Sequence, residues 1–295
     1  MDSDAQPTPE MLVDGLRTLL DVEAIDTDLF RGSRQPGGQG RVFGGQVIAQ
    51  ALVAAMRSVE GGRVAHSLHA YFMRPGDEDL PIVYRVVRDF EGRAFATRRV
   101  IAMQRGEPIL NMAASFQRPE EGFVHQSTMP DVPEPETLTD SWELARRERT
   151  EIPEKLASFL MRLKPIEMRP VDPHPIAKPE KRAPHNASWF RAVAPVGDDP
   201  DVHRAILAYA SDMMLLGTSM LPHAVNWAAG RVQTASLDHA LWLHEPFRVD
   251  EWLLYVTDSP WAGHARGFNR GQIFSRDGRL VASVAQEGLI RPRDR

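Results

Sequence analysis

The residue whose type and surroundings point most directly to chemistry is Asp212. It interrupts a segment that is otherwise apolar on nearly every side, from Ile206 to Leu216. An ionised carboxylate is costly to bury in such a helix unless hydrogen bonds satisfy it or a reaction uses it. The alternative is that the helix ends at Ser211 and Asp212, which would make the carboxylate a cap on the surface. A buried Asp212 could serve as a general base.

Two further polar residues, Ser236 and Gln286, form a chemically sensible set with Asp212. The carboxylate could activate a water molecule, while the hydroxyl and the amide orient the water or the base. Such a set suits hydrolysis of a thioester, because a thiolate whose conjugate acid has a pKa of about 8.5 leaves without a strong general acid. Backbone N–H groups at the start of a helix or turn could bind the carbonyl oxygen. Single Ser or Gln residues on strands more often face solvent, so only the combination singles these two out.

These residues belong to a chain that repeats one order of elements. The first copy has an apolar, helix-forming segment, Gln46–Met56, followed by strand-like runs with glycine-containing turns between them. These runs cover residues 67–73, 82–87, 95–104 and 109–117. In the last third a helix over 206–216 is followed by runs at 234–243, 252–257, 265–274 and 280–286. The sequence therefore predicts two copies of a helix followed by an antiparallel meander.

A constant spacing relates the two copies. Ser236 lies 169 residues after Ser67, and Gln286 lies 169 residues after Gln117, at the end of the last strand of each copy. The acid lies 24 residues before Ser236, and the same step before Ser67 falls among residues 43–45, which include no carboxylate. Two copies with one acid predict one working site, in the second copy.

The segment between the copies has a different composition. Residues 119–188 contain 11 of the 23 prolines of the chain. Proline removes ladder donors and breaks helices, so this segment is predicted to be a linker with at most short helices, near 141–149 and 154–162. The predicted organisation is an N-terminal unit over 1–118, a linker over 119–188 and a C-terminal unit over 189–295 that carries the chemistry.

The predicted fold class is α+β. A unit with one buried helix and one antiparallel sheet buries the helix by wrapping the sheet around it, which is the hotdog architecture. Two fused copies make a double hotdog. The alternative is an ordinary α+β pair without wrapping, and the apolar character of both helices on all sides argues against it.

Composition excludes several classes of protein and site. The chain has no cysteine, which rules out disulfides, thiolate metal sites and a cysteine nucleophile. The net charge is −5 and there is no long Lys/Arg run, so no nucleic-acid partner is predicted. No apolar stretch approaches the roughly 20 residues of a membrane span. The acidic N-terminus lacks an apolar signal segment, so the predicted location is cytoplasmic, without a membrane partner.

Sequence motifs of other catalytic sites are also missing. The chain contains no G-x-S-x-G, no G-x-x-x-x-G-K-[ST] and no H-E-x-x-H. Its ten histidines are scattered, so neither a metal nor a cofactor is predicted.

Both copies carry specific short motifs. Those of the first copy are Phe43–Gln46, His66–Phe72 and Arg74–Gly76. Those of the second copy are Tyr209–Asp212, Leu237–Ala240, Pro246–Phe247, Glu251–Tyr255, Ala265–Phe268 and Gln286–Gly288. Over residues 30–118 and 203–290 the chain thereby resembles the bacterial and peroxisomal acyl-CoA thioesterase II family, whereas the linker resembles it only weakly.

The resemblance implies a double hotdog that hydrolyses acyl-CoA without a cofactor. It also implies an Asp, Thr-or-Ser and Gln trio in the second half, and these roles fall on Asp212, Ser236 and Gln286. Position 236 is Thr in the best-known bacterial members and Ser here, so the hydroxyl is retained and activity is expected. A homo-oligomer, either a dimer or a tetramer, is expected by analogy, because hotdog sheets join edge to edge or back to back.

Coenzyme A is anionic and carries an adenine, so cationic groups should line its path. Arg93, Arg266 and Arg270 are candidates because each lies near glycine or small residues that permit close approach. His66 is a candidate near the thioester. The alternative is that these arginines lie on exposed strand faces and that His66 packs between strands.

Two other functions fit a hotdog fold. An acyl-CoA hydratase or dehydratase would pair an Asp with a His, for which Asp238, His239 and His244 are the local candidates. Adjacent residues on a strand point to opposite faces, which weakens the Asp238–His239 pair. The other function is non-catalytic acyl-CoA binding, and the presence of Asp212 argues against it.

Overall fold

The structure is a computed structural model that describes residues 6–35, 40–226 and 231–293. Its α-helices in these ranges are α1 (Pro9–Leu20), α2 (Gly44–Met56), α3 (Ser141–Arg147), α4 (Glu154–Leu160) and α5 (Pro200–Ser211). Its strands there are β1 (Val22–Asp26), β2 (Leu29–Gly32), β3 (Val64–Phe72), β4 (Ile82–Glu91), β5 (Phe95–Gln104), β6 (Glu107–Gln117), β7 (Ile166–Pro170), β8 (His185–Ala192), β9 (Val232–Ser236), β10 (Asp238–Leu243), β11 (Leu253–Gly263), β12 (Arg266–Ser275) and β13 (Leu280–Pro292). Short 3₁₀ helices cover Pro135–Thr137 and Leu215–His223.

The described strands form one antiparallel sheet. Its order is β1-β2-β4-β5-β6-β3-β10-β13-β12-β11-β8-β7, and β9 pairs with β13 beside β10. The two halves meet where β3 pairs with β10, with Leu68 opposite Leu241. Outward from this seam the first half runs β3, β6, β5, β4 and the second half runs β10, β13, β12, β11. The predicted repeat is therefore a repeat of topology.

The helix α2 is the centre of the first half. Its Ile48, Ala49 and Ala51 have no exposed surface. It contacts every strand from β1 to β6, and it also packs against α5 of the second half. A sheet wrapped around a buried helix, present twice in one chain, is a double hotdog, and this prediction is confirmed.

An edge hairpin precedes the buried helix in each half, and sequence reasoning found neither hairpin. The β1–β2 pair lies beside β4, and the β7–β8 pair lies beside β11. The segment 119–188, predicted as a linker with at most short helices, thus contributes β7 and the start of β8, and the boundary drawn at residue 189 falls inside β8. The many prolines of this segment led to the prediction of a linker without strands. Pro170 is nevertheless compatible with β7, because it is the last residue of a strand at the sheet edge, where proline is tolerated.

The helix α5 begins six residues before the start of the helix predicted over 206–216 and ends five residues before its end. It ends at Ser211, whose Oγ donates to the Ala208 carbonyl at 3.0 Å, a local bond that competes with continuing the helix. The chain then continues as the 3₁₀ helix Leu215–His223. By length and hydropathy the stretch Pro200–His223 could cross a membrane, but about half of it (56% of the window) is buried in the protein, and core helices pass the same test.

Candidate active site

Asp212 lies at the junction of the two halves. It is the C-cap of α5, with φ −85° and ψ −10°, and its carboxylate accepts a hydrogen bond from the backbone N–H of Gly45 in α2. The C-terminal end of a helix disfavours a negative charge, whereas the N-terminal end of α2 favours it. The alternative of a surface cap is right in that the helix ends here. It is wrong about the surface, because the Asp212 carboxylate is buried and faces α2.

The two glycines that open α2 allow this approach. A Cβ on Gly44 would lie 2.6 Å from Asp212 Oδ2, and a Cβ on Gly45 would lie 2.4 Å from the Tyr209 carbonyl oxygen. The N-cap of α2, Phe43, makes no side-chain capping bond, so the free N–H groups of this helix depend on acceptors from elsewhere. The spacing suggested that these glycines are the counterparts of Asp212 in the first copy. The structure shows instead that they contact Asp212 and its helix directly.

The structure brings the predicted trio together. Asp212 Oδ1 accepts a hydrogen bond from Gln286 Nε2 at 2.6 Å and another from Ser236 Oγ at 3.2 Å. Burial raises the pKa of Asp212 to about 6, against the hydrogen bonds from Gln286, Ser236 and the Gly45 N–H, which lower it. A carboxylate whose pKa lies near neutrality, and whose position is fixed by two donors, is suited to accept a proton from water.

Strand register places the two donors. Ser236 ends β9 opposite Gly288, while β10 begins two residues later at Asp238. At this break between β9 and β10, Asp238 Oδ1 accepts a hydrogen bond from the Glu287 N–H of β13 at 2.6 Å, which holds the break in place. Ser236 and Gln286 therefore reach the carboxylate from two adjacent strands.

Register also corrects the predicted equivalence of Gln117 and Gln286. Gln117 pairs with Phe95, the first residue of β5, whereas Gln286 pairs with Asn269, the fourth residue of β12. Gln286 is buried with 1% exposure, but Gln117 is partly exposed. The offset of 169 residues therefore does not hold along the last strand, and Gln117 is not the counterpart of Gln286.

The position in the first half that corresponds to Gln286 holds an alanine. The fourth residue of β5 is Arg98, and it pairs with Ala114. Arg98 is completely buried, donates to Ser58 Oγ at 2.9 Å and forms an ion pair with Glu91. Arg98 and Ala114 thus stand where the second half has Asn269 and Gln286, so the described residues hold one trio rather than two.

His66 and Arg93 lie at the wrong end of their half. The end of β3 that lies near Asp212 is marked by Phe72, because a Cβ on Gly44 would lie close to both Asp212 Oδ2 and Phe72 Cζ, the latter at 2.9 Å. His66 precedes Phe72 by six residues, or about 20 Å along the extended strand β3. Its Nε2 bonds Ser115 Oγ at 2.9 Å, and Arg93 is exposed in the turn after β4 near the same end. The structure does not bring either residue to Asp212.

Arg266 and Arg270 lie on the face of β12 opposite to Asn269, which is buried. Arg266 pairs with Glu287 at 3.2 Å and Arg270 with Asp258 at 2.5 Å. Both guanidinium groups are exposed and already paired, so the sequence-based choice of CoA-binding residues gains no support. Within the described residues, no cluster of three or more His, Asp or Glu is placed to hold a metal ion.

Sequence reasoning missed the roles of Gly44, Gly45 and the side chain that contacts the Gln286 amide. That side chain is His239, 1% exposed, whose Nδ1 lies 3.1 Å from Gln286 Nε2. The glycine pair directly before an apolar helix was the available signal for the first two. His239 gave no signal of its role, because a histidine on a strand has many uses.

Replacing Gly44 with alanine should damage the site without unfolding the protein. The new methyl group would collide with Asp212 Oδ2 and with Phe72, and displacing a catalytic group by about 1 Å can lower the rate about 100-fold. The check is kcat for the thioester hydrolysis that the sequence predicts. Gly15→Ala is the matched control, because nothing lies within 4 Å of its Cβ in α1 and the change should stabilise the helix by about 0.5–1 kcal/mol. Full activity of Gly44→Ala would mean that this contact does not position the acid.

Comparison with known proteins agrees with this fold. Residues 162–289 match the family described as acyl-CoA thioesterase, and residues 33–117 match its N-terminal domain family. The chain is 42% identical to human acyl-coenzyme A thioesterase 8 over 93% of this chain and 88% of that protein. It is 40% identical to acyl-CoA thioesterase 2 of Haemophilus influenzae over 95% and 98% of the two chains.

A solved structure gives the same result. The crystal structure of acyl-CoA thioesterase II TesB2 from Mycobacterium marinum superposes with a TM-score of 0.78 at 39% identity, covering 95% of this chain and 98% of that one. The double hotdog and these relatives thus define a thioester hydrolase. The chain belongs to the acyl-CoA thioesterase family.

Proposed function

We propose that the chain hydrolyses acyl-CoA to a free fatty acid and CoA, with Asp212 as general base for direct attack of water. The proposal is carried by one observation: Asp212 Oδ1 accepts hydrogen bonds from both Gln286 and Ser236, while burial raises the pKa of Asp212 to about 6. The substrate class rests on the names of the relatives, which are acyl-CoA thioesterases.

The remaining parts of the reaction have candidate groups nearby. The N-terminal end of α2 presents backbone N–H groups beside Asp212, and such groups can stabilise the oxyanion that forms from the thioester carbonyl. Gln286 Oε1 is buried and has no hydrogen-bond partner among the described residues, so it can accept a hydrogen bond from the attacking water. The thiolate leaves without an acid. No step in this scheme calls for a covalent intermediate or a metal.

Acid quenching during the first turnover tests the non-covalent step. Intact-protein and peptide mass spectrometry should find no acyl group on the peptide that contains Asp212. An acyl adduct at this residue that forms and decays at the rate of turnover would mean that the carboxylate attacks the thioester itself.

The pH dependence of the wild-type enzyme should have one limb between about pH 5 and about pH 9. Since the pKa of Asp212 is raised to about 6, kcat/KM should fall about tenfold per pH unit below that value and level off above it. Tyr209 and Tyr255 stay neutral in this range, because burial raises the pKa of Tyr209 to about 12 and that of Tyr255 well above its usual value. A second limb, or a midpoint near the ordinary pKa of aspartate, would contradict the assignment.

Ser236 should matter less than the acid. Its hydroxyl donates to Asp212 over 3.2 Å, and loss of such a bond typically costs about 1 kcal/mol, so Ser236→Ala should lower kcat about 5- to 10-fold. Ser236→Thr keeps the hydroxyl and should retain most of the activity. Steady-state kinetics of both variants check this, and equal losses in the two would show that the hydroxyl is not the relevant group.

The hydratase alternative has less support in this site. Both ring nitrogens of His239 lie at hydrogen-bond distance from neighbouring side chains, Ser211 Oγ and Gln286 Nε2. Asp238 points to the other face, toward the Glu287 N–H. Release of free thiol from a chain-length panel of acyl-CoAs would distinguish hydrolysis from hydration and from mere binding. The cytoplasmic location and the homo-oligomeric state stay predictions.

A further inference from the structure

A chain of buried side chains leads from Gln286 through His239 to Ser211. His239 Nδ1 lies 3.1 Å from Gln286 Nε2, and His239 Nε2 lies 2.9 Å from Ser211 Oγ. The Ser211 hydroxyl also lies 3.0 Å from the Ala208 carbonyl oxygen, and Ser211 O accepts the Tyr255 hydroxyl at 2.9 Å. The Ser211 and His239 side chains are almost completely buried.

The protons of this chain can be placed by counting donors. The Ser211 hydroxyl donates its single hydrogen bond to the Ala208 carbonyl, so its oxygen must accept a hydrogen bond from His239 Nε2–H. With Nε2 protonated, Nδ1 of a neutral ring is an acceptor. Burial lowers the pKa of His239 to about 3, so the ring is neutral at any working pH. Gln286 must then direct its NH₂ group, not its oxygen, toward Nδ1.

This arrangement removes the ambiguity of an amide side chain. One N–H of Gln286 goes to His239 Nδ1 and the other goes to Asp212 Oδ1 at 2.6 Å. A flipped amide would place its oxygen against the lone pair of Nδ1 and against the carboxylate oxygen, and both contacts would be repulsive. Only one orientation is compatible with the buried chain.

We propose that His239, held as its Nε2–H tautomer by Ser211, is a positioning residue that fixes the amide of Gln286 as a donor to Asp212. The role rests on the proposed function, because the amide matters only if Asp212 is the base. His239 does not touch the reacting atoms in this scheme and acts through Gln286.

Two substitutions of His239 separate this role from simple packing. Asn can place its side-chain oxygen near the position of Nδ1 and accept the Gln286 N–H, whereas Leu fills similar space without an acceptor. His239→Leu should lower kcat about 30-fold, as expected for one unsatisfied buried donor, with KM changed less than about 3-fold. Its kcat/KM profile should also shift to higher pH, because a mobile amide stabilises the Asp212 carboxylate less. His239→Asn should restore most of kcat and the original profile.

The kinetic test has clear opposing results. The proposal is overturned if folded His239→Leu keeps the wild-type kcat and pH profile, or if Asn and Leu are equally impaired. Should the Leu variant not fold, Ser211→Ala replaces it: loss of the acceptor for Nε2–H frees the tautomer, and the same upward shift of the pH profile is expected. An unshifted profile in Ser211→Ala would overturn the tautomer assignment.

A measurement independent of turnover distinguishes failure of this inference from failure of the proposed function. Long-range ¹H–¹⁵N correlation spectra of the wild-type protein, assigned by comparison with His239→Asn, report which ring nitrogen carries the proton. An unprotonated Nδ1 and a protonated Nε2 from about pH 5 to about pH 8 support the proposal even if Asp212 should prove not to be the base. A protonated Nδ1 overturns it even in a fully active enzyme.

Discussion

Replacing Asp212 with asparagine should lower kcat for acyl-CoA hydrolysis by about 10³-fold or more, which lies within the range that general-base catalysis contributes. The amide keeps the size of the side chain and an oxygen for Gln286 and Ser236, but it cannot accept a proton from water. Substrate affinity should change little, because the proposed role concerns the attacking water. The rate of thiol release, measured with the acyl-CoA that the wild-type enzyme prefers, is the readout.

Asp238→Asn is the matched control for this substitution. Asp238 lies in the same half, burial also raises its pKa, and its Oδ1 accepts a backbone N–H that asparagine can still bind. Its activity should stay near that of the wild type. A large loss in Asp238→Asn with little loss in Asp212→Asn would instead favour the hydratase-type assignment of Asp238 and His239.

Thermal stability shows whether the inactive variant is folded. The folded-state pKa of Asp212 is raised to about 6, so the stability linked to its neutral form is present at acid pH and is lost as the pH rises through that value. At neutral pH the ionised Asp212 carboxylate therefore lowers the free energy of unfolding. Asp212→Asn should melt at or above the wild-type temperature, and a marked fall would point to a structural role.

Replacing Gln286 with alanine should lower kcat about 100-fold at neutral pH, since one substitution removes both the 2.6 Å donor to Asp212 and the buried oxygen available to water. The lost hydrogen bond is one that lowers the pKa of Asp212, so that pKa should rise further above about 6. The loss of rate should thus be greatest at acid pH and partly recovered at alkaline pH. A pH profile of kcat/KM measures both effects.

Gln117→Ala is the matched control in the first half. Gln117 ends β6, is partly exposed and pairs with Phe95 rather than with a counterpart of Asn269. Its removal should leave kcat and the pH profile unchanged. Comparable losses of kcat in Gln117→Ala and Gln286→Ala would mean that the different strand register of the two glutamines does not give them different roles.

Much of the fold followed from the sequence because its signals are local. The limits of β5 (Phe95–Gln104) agree with the predicted run, and α2 (Gly44–Met56) extends the predicted helix by only two residues. A helix that is apolar on all sides must be buried, and in this chain the predicted strands are the elements available to cover it. The trio was also accessible, because a carboxylate among apolar residues is too costly to bury without hydrogen-bonding partners or a part in a reaction.

What could not be predicted depends on register and on contacts between the halves. Counting residues made Gln117 equivalent to Gln286, but a shift between strands changes which face a side chain occupies. The step back from Ser67 reached Gly44 and Gly45, and sequence could not reveal that these glycines touch Asp212 across the interface of α2 and α5. The edge hairpins escaped because short strands with proline resemble loops.

Single-turnover hydrolysis by Asp212→Asn tests the central claim most directly. With enzyme in excess of acyl-CoA and above the dissociation constant measured for the same variant by calorimetry, binding is complete and only the chemical step is observed. If Asp212 is the base, the bound thioester should persist about 10³ times longer than with the wild-type enzyme. Release of thiol at the wild-type rate from the saturated variant would contradict the claim.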